Sequence, residues 1–187
     1  MRSRCPSLRF GRLPVDEVAR LLVERHGMDA RTARDAAFAS DGSPGRALLD
    51  VSDAGTATRA LVEGVVGAAV GVRGPEQRLR LAAQLLEPAE VKTKGRGKPK
   101  SFSAPERELL GERLEVLSAT LRDLSVAAAG GDERFMAHSP SADTLALAQR
   151  WGARRLTAAF AAVGRAREAL ERNTSPKVVA DWLAMQL

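Results

Sequence analysis

Val15-Asp16-Glu17-Val18-Ala19-Arg20-Leu21-Leu22-Val23-Glu24-Arg25-His26-Gly27 is the stretch on which the fold class turns. Val15, Val18, Leu21 and Leu22 recur at helical spacing rather than in alternation, which predicts an amphipathic helix and no strand. Asp16 and Glu17 fall in its first turn, where the positive end of the helix dipole favours carboxylates. Gly27 supplies the stop.

The same period continues outward from this segment. A second helix is expected from about Asp29 to Ser40, with Ala33, Ala36 and Ala37 on one face. The break Asp41-Gly42-Ser43-Pro44-Gly45 precedes a short helix through Leu48 and Leu49. Residues Thr56 to Leu86 read as helical with an interruption from Gly71 to Pro75. After the stretch Glu90 to Ser103, Pro105 opens a long helix through Leu124, and Gly130 to Ala142 reads as a loop. One long helix is expected from about Ser141 to Leu170. Ser175-Pro176 starts the last, with Ser as N-cap and Pro in the first helical position. Leu8 to Phe10 is the one candidate extended piece. The chain reads as all-α, with a boundary near Val51 to Gly55 that separates three short helices from a larger bundle.

Composition narrows the function classes. The chain has 187 residues and a formal net charge of +6, enough length to bury a core without staples. No stretch approaches the roughly 18 apolar residues of a membrane span, and the first residues run into no signal-type apolar core. The single cysteine, Cys5, excludes a disulfide framework and a multi-cysteine zinc site, and points to a reducing, cytoplasmic compartment. His26 and His138 are too far apart in sequence to suggest a ligand cluster, so no metal site is expected. Aromatic residues are 4% with no Tyr, which argues against base-stacking RNA modules.

Three segments carry chemistry. In Gly42-Ser43-Pro44-Gly45-Arg46-Ala47-Leu48, Gly42 can turn left-handed to close the preceding helix, while Ser43 and Pro44 can open the next. Arg46 then lies near a helix N-terminus, where backbone N–H groups favour an anion and a guanidinium adds a bidentate phosphate ligand. The plainer reading is a helix corner with a solvated arginine. Gly45, early in a helix where glycine costs about 0.5–1 kcal/mol relative to alanine, calls for close approach of a backbone or ligand. The second segment is Arg2-Ser3-Arg4-Cys5, either a frayed basic terminus or an extended arm whose arginine reaches a partner's phosphate. The third is Lys92, Lys94, Arg96, Lys98 and Lys100, interleaved with Thr, Gly and Pro and free of acids. It reads as a solvated linker or as a sequence-independent, salt-sensitive DNA contact. No phosphate-cradling Gly-x-x-x-x-Gly-Lys-Ser/Thr and no credible nucleophile–base pair occurs, so no intrinsic catalysis is expected.

Taken in order, these pieces resemble the delta-prime subunit of the bacterial DNA polymerase III clamp loader. Ser3-Arg4-Cys5, followed by Leu8-Arg9-Phe10 and Leu13-Pro14, looks like that family's Ser-Arg-Cys motif and its run into the lid domain. Gly42 to Leu48 looks like the sensor-2 region of the AAA+ module. Leu121-Arg122-Asp123-Leu124, Gly130-Gly131-Asp132 and the ending Leu170 to Lys177, with its Asn-x-x-Pro, are similar to the C-terminal collar. The resemblance implies a remnant of the AAA+ core over 1–12, a three-helix lid over 13–54 and a collar over 55–187. It also implies that the nucleotide-fold domain with its cysteine zinc module, which precedes Ser-Arg-Cys in the family, is missing, so that the chain is a partial delta-prime. Arg4 would be a trans-acting arginine finger and Arg46 a structural or vestigial sensor-2 residue. The chain would bind no cofactor itself, with ATP-Mg held in a neighbouring subunit. Its implied partners are the gamma/tau and delta subunits and, through the complex, the sliding clamp and primed DNA. The alternative is a standalone basic helical protein that binds DNA through Lys92 to Lys100, or a plain protein-interaction domain.

Charge location bears on that choice. Lys92 to Lys100 and the arginines at 2, 4, 9 and 12 together carry more positive charge than the net +6, so the rest of the chain is mildly acidic. That suits a protein-binding scaffold.

Overall fold

The structure, a computed structural model, describes residues 11–40, 42–87, 104–132, 135–138 and 141–187. Among the described residues there are nine α-helices and no strand, so the all-α reading holds. None of these helices is long and apolar enough to cross a membrane. The candidate extended piece Leu8 to Phe10 and the stretch Glu90 to Ser103 lie outside the described residues, apart from a helix start at Ala104 just beyond the latter. The chain divides into two compact units, Met1–Ser52 and Asp53–Leu187.

The first unit holds α1 (Val15–His26), α2 (Ala30–Ala39) and α3 (Pro44–Val51). α1 carries Asp16 and Glu17 in its first turn and stops at Gly27, which is left-handed at φ 65°. At that end the Gly27 N–H donates to the Val23 carbonyl, so the stop satisfies an orphan carbonyl as it turns the chain. Asp29 then caps α2, its carboxylate accepting from the N–H groups of Arg31 (3.2 Å) and Thr32 (3.0 Å). Val18 and Leu22 of α1 meet Ala33, Ala36 and Ala37 of α2 and Ala47 of α3 in one small core. Alanines on the facing helices let the backbones approach closely and leave the core few large side chains.

The second unit comprises α4 (Asp53–Ala69), α5 (Pro75–Gln84), α6 (Ala104–Ala128), α7 (Ala142–Trp151), α8 (Ala153–Glu171) and α9 (Pro176–Gln186). α6 packs against α4, α7, α8 and α9. Its fully buried residues Leu110, Leu114, Leu117 and Leu121 follow the i, i+4, i+7, i+11 spacing of one helix face. They form the spine of the core shared with Val62, Leu85, Leu156, Val163 and Leu183.

The single helix expected from Ser141 to Leu170 is two helices. Gly152 adopts φ 72° and ψ 148°, a region essentially reserved for glycine, and the extended ψ interrupts the hydrogen-bond ladder. Its N–H closes α7 onto the Ala148 carbonyl (3.0 Å), and its carbonyl accepts from Leu156 to begin α8 (3.1 Å). The break turns Trp151 into the core, where its indole Nε1 donates to the Val66 carbonyl of α4 (3.2 Å). Elsewhere the helices are longer than read: α4 starts at Asp53 rather than Thr56, and α6 runs to Ala128 rather than Leu124.

Four helix ends in this unit are closed by arginines from other helices. Arg155 of α8 donates to Ala69 (2.7 Å) and Val70 (3.5 Å) at the end of α4 and also to the Leu187 carbonyl. Arg113 of α6 reaches the Gln84 (3.0 Å) and Glu87 carbonyls at the end of α5. Arg107 reaches Leu170 of α8, and Arg78 of α5 donates to Ala184 (3.2 Å) and Met185 (3.3 Å) of α9. The last carbonyls of a helix have no intrahelical donor and carry partial negative charge, so a guanidinium there answers both needs.

Candidate functional site

The Gly42–Arg46 segment is the part of the sequence-derived site that the described residues contain. Ser3, Arg4 and Cys5, and the basic set Lys92, Lys94, Arg96, Lys98 and Lys100, lie outside them. The segment opens α3 as its residue types dictate. Ser43 is the N-cap, its hydroxyl accepting from the Arg46 N–H at 3.4 Å, and Pro44 occupies the first turn. Gly42 is left-handed at φ 79°.

Close approach falls on a different glycine from the one expected. A Cβ on Gly45 would meet nothing within 4 Å, whereas one on Gly42 would stand 2.6 Å from the Leu13 carbonyl oxygen and 2.9 Å from the Arg12 Cβ. The Leu13 N–H donates to the Gly42 carbonyl at 3.1 Å, fastening the chain that enters α1 to the corner that enters α3. The reason lies in that crossing of backbones, which only a residue without a Cβ can accommodate. Gly45 simply sits on an open helix face.

The crossing frames an open depression of about 590 Å³ lined by Gly11, Arg12, Leu13, Gly42, Ser43, Pro44 and Arg46. Two arginines, from segments thirty-odd positions apart, thus flank the N-terminus of one short helix. Such a setting favours anions through its oriented N–H groups and its guanidinium groups. Arg12 is the member that sequence reasoning missed. Its place just before the Leu13-Pro14 helix start was visible, but its proximity to Arg46 depends on the Leu13–Gly42 contact.

Elsewhere among the described residues, polar side chains of the second unit take structural roles. Among the described residues no group of His, Cys, Asp or Glu could hold a metal ion. Asp123, within the Leu121–Leu124 segment, is buried and accepts from the Ala137 N–H (2.8 Å) and the His138 N–H (3.2 Å). It pins the 135–138 turn to α6, with the His138 Nδ1 3.4 Å from its carboxylate. Burial, first, and the neighbouring Arg78 charge, second, hold the Arg155 guanidinium below its ordinary range. The ring of Trp151, 4.4 Å away, and three carbonyl partners keep it in place. Comparison of the chain with protein-family models, with curated proteins and with solved structures returns no match.

Proposed function

We propose that this chain is a clamp-loader subunit of delta-prime type, acting in the cytoplasm in DNA replication and doing no catalysis of its own. Residues 13–54 serve as a lid-type module and 55–187 as a collar that joins the gamma/tau and delta subunits. Arg4 reaches the ATP-Mg site of a neighbouring motor subunit and stabilises charge developing on the transferred phosphoryl group. Arg46, with Gly42, Ser43, Pro44 and Gly45, forms the sensor-2-like corner and acts structurally. The sliding clamp and primed DNA are engaged through the assembled complex.

One observation carries this reading: the Gly-Ser-Pro-Gly-Arg order makes a capped helix start whose arginine shares a depression with Arg12. Four arginines of the second unit support it. Arg78, Arg107, Arg113 and Arg155 bind helix-end carbonyls, which suits a scaffold more than a surface that tracks phosphates.

The test is reconstitution with the gamma/tau and delta subunits, the chain being fused to a delta-prime nucleotide-fold domain. Arg4→Ala lowers DNA-stimulated ATPase and clamp loading by orders of magnitude, as arginine-finger loss does elsewhere, while the complex still assembles. An unchanged ATPase sinks the finger assignment. Replacing Lys92, Lys94, Arg96, Lys98 and Lys100 by Ser leaves assembly intact. If that change instead abolishes DNA binding by the isolated chain and flattens its salt dependence, the DNA-binding alternative takes over.

A further inference from the structure

Val178, Trp182 and Met185 recur at i, i+4 and i+7 on the outer side of α9, and are 58%, 37% and 41% exposed. The opposite side of the same helix, with Val179, Ala180, Leu183 and Ala184, is in the core. α9 is therefore apolar nearly all round, the pattern of a helix covered on both sides, although its own unit covers one.

The charges along this stripe are unbalanced. Its neighbouring acids are ion-paired locally, Asp181 with Lys177 of the same helix at 2.7 Å and Glu168 with Arg172, the residue that caps α8, at 3.8 Å. Arg165 of α8 stands over the Trp182 ring at 5.5 Å and has no carboxylate within ion-pair distance among the described residues. Arg154, eleven positions earlier and so on the same line of α8, is also exposed and has no carboxylate partner among the described residues. A partner that buried the stripe would strip water from Arg165, which is unfavourable unless it brings an opposite charge.

We propose that the α9 stripe docks an amphipathic helix of another protein, one whose apolar residues are bordered by Asp or Glu. Helix-in-groove recognition uses this i, i+4, i+7 anchoring, and tryptophan and arginine are both enriched among the residues that carry most of an interface's binding energy. A second copy of the chain does not fit. A two-fold dimer sets the same patch against itself, and the carboxylates beside the stripe, Asp181 and Glu168, are already ion-paired, so a second copy brings Arg165 no unpaired acid. The inference goes beyond the clamp-loader reading and stands whether or not that reading does.

The test uses the full chain and two synthetic helices of about 20 residues, alike in their leucine stripe but edged with Glu in one and Lys in the other. Binding is read from Trp182 fluorescence, with Trp182→Phe as the blank for the buried Trp151. The Glu-edged helix binds at least about tenfold tighter, about 1.4 kcal/mol. Arg165→Glu reverses that preference and Arg165→Ala erases it, both with wild-type circular dichroism. Equal affinities, or no binding of either helix, overturn the proposal. So does sedimentation showing that the chain alone is a dimer which Trp182→Ala dissolves. Because no clamp-loader subunit is used, these outcomes are independent of the Arg4 experiment.

Discussion

The two units are made from similar alanine- and arginine-rich helices, but only the second adds long-range arginine contacts to the local closure of its helix ends. In the first unit the caps are local. Asp29 serves donors two and three residues on, Ser43 serves one three residues on, and Gly27 folds the end of α1 back on itself. In the second unit α7 keeps local closures at Ser141 and Gly152, but the ends of α4, α5, α8 and α9 are closed by groups from far along the chain, with Arg113 26 and 29 residues from its carbonyls and Arg78 more than 100 residues from its own. Local caps stabilise one helix at a time. Distant caps make each helix depend on another, which predicts that the second unit unfolds as one body and that the first is the softer of the two. Core size acts in the same direction: six buried residues, four of them alanine, hold the first unit, while a leucine spine holds the second.

The sharpest way to break this contrast is Arg113→Ala. The side chain is fully buried, and desolvation, its largest influence, holds its guanidinium below the usual range. Its removal leaves two carbonyls at the end of α5 without their donor and opens a cavity, a loss of about 3–5 kcal/mol. Arg113→Lys does not restore it, because an ammonium cannot span both carbonyls as the planar guanidinium does. Chemical denaturation of the full chain measures the change, and a loss below about 1 kcal/mol would reduce the distant caps to decoration.

Gly42→Ala is the corresponding strike at the first unit. Strain from the left-handed backbone together with the clash against Leu13 costs about 1–3 kcal/mol. The effect is confined to α1–α3, seen as faster hydrogen exchange at the Leu13 amide with the second unit's transition unmoved. Gly45→Ala has the opposite sign, a gain of about 0.5–1 kcal/mol, since nothing stands where its Cβ would go.

The smallest effect separates a local cap by pH. Hydrogen bonds from the Thr32 side chain, then from the Thr32 and Arg31 backbone, hold the Asp29 carboxyl below its ordinary value. A lowered folded-state pKa gives a contribution that is complete above the unfolded value of about 3.9 and disappears as pH falls through the folded one. The stability difference between wild type and Asp29→Ala therefore shrinks below about pH 4, and a difference that is flat from pH 6 to pH 2.5 would deny Asp29 its capping role.

The contrast also explains what reading the sequence could reach. α1 to α3 were legible because each border carries its own signal: the Asp16-Glu17 first turn, Gly27, Asp29 and Ser43-Pro44. In the second unit Pro75 and Pro176 announced their helices, but the break at Gly152 was read through, since a lone glycine within a periodic run is tolerated in a helix. The candidate site was half legible. Ser43, Pro44 and Arg46 could be placed by capping rules, whereas the close approach assigned to Gly45 belongs to Gly42, and Arg12, counted only as terminal charge, lines the same depression as Arg46.

By itself, then, the sequence determined the helical class and the locally capped ends, because apolar period and capping chemistry act within a turn or two of the chain. Only the tertiary structure decided that Arg78, Arg107, Arg113 and Arg155 close other helices, that α7 ends at Trp151, whose indole reaches Val66, and that Gly42 rather than Gly45 bears the crossing. Each of these depends on a donor, an acceptor or an excluded volume contributed by a distant segment, and no local window of sequence contains both halves.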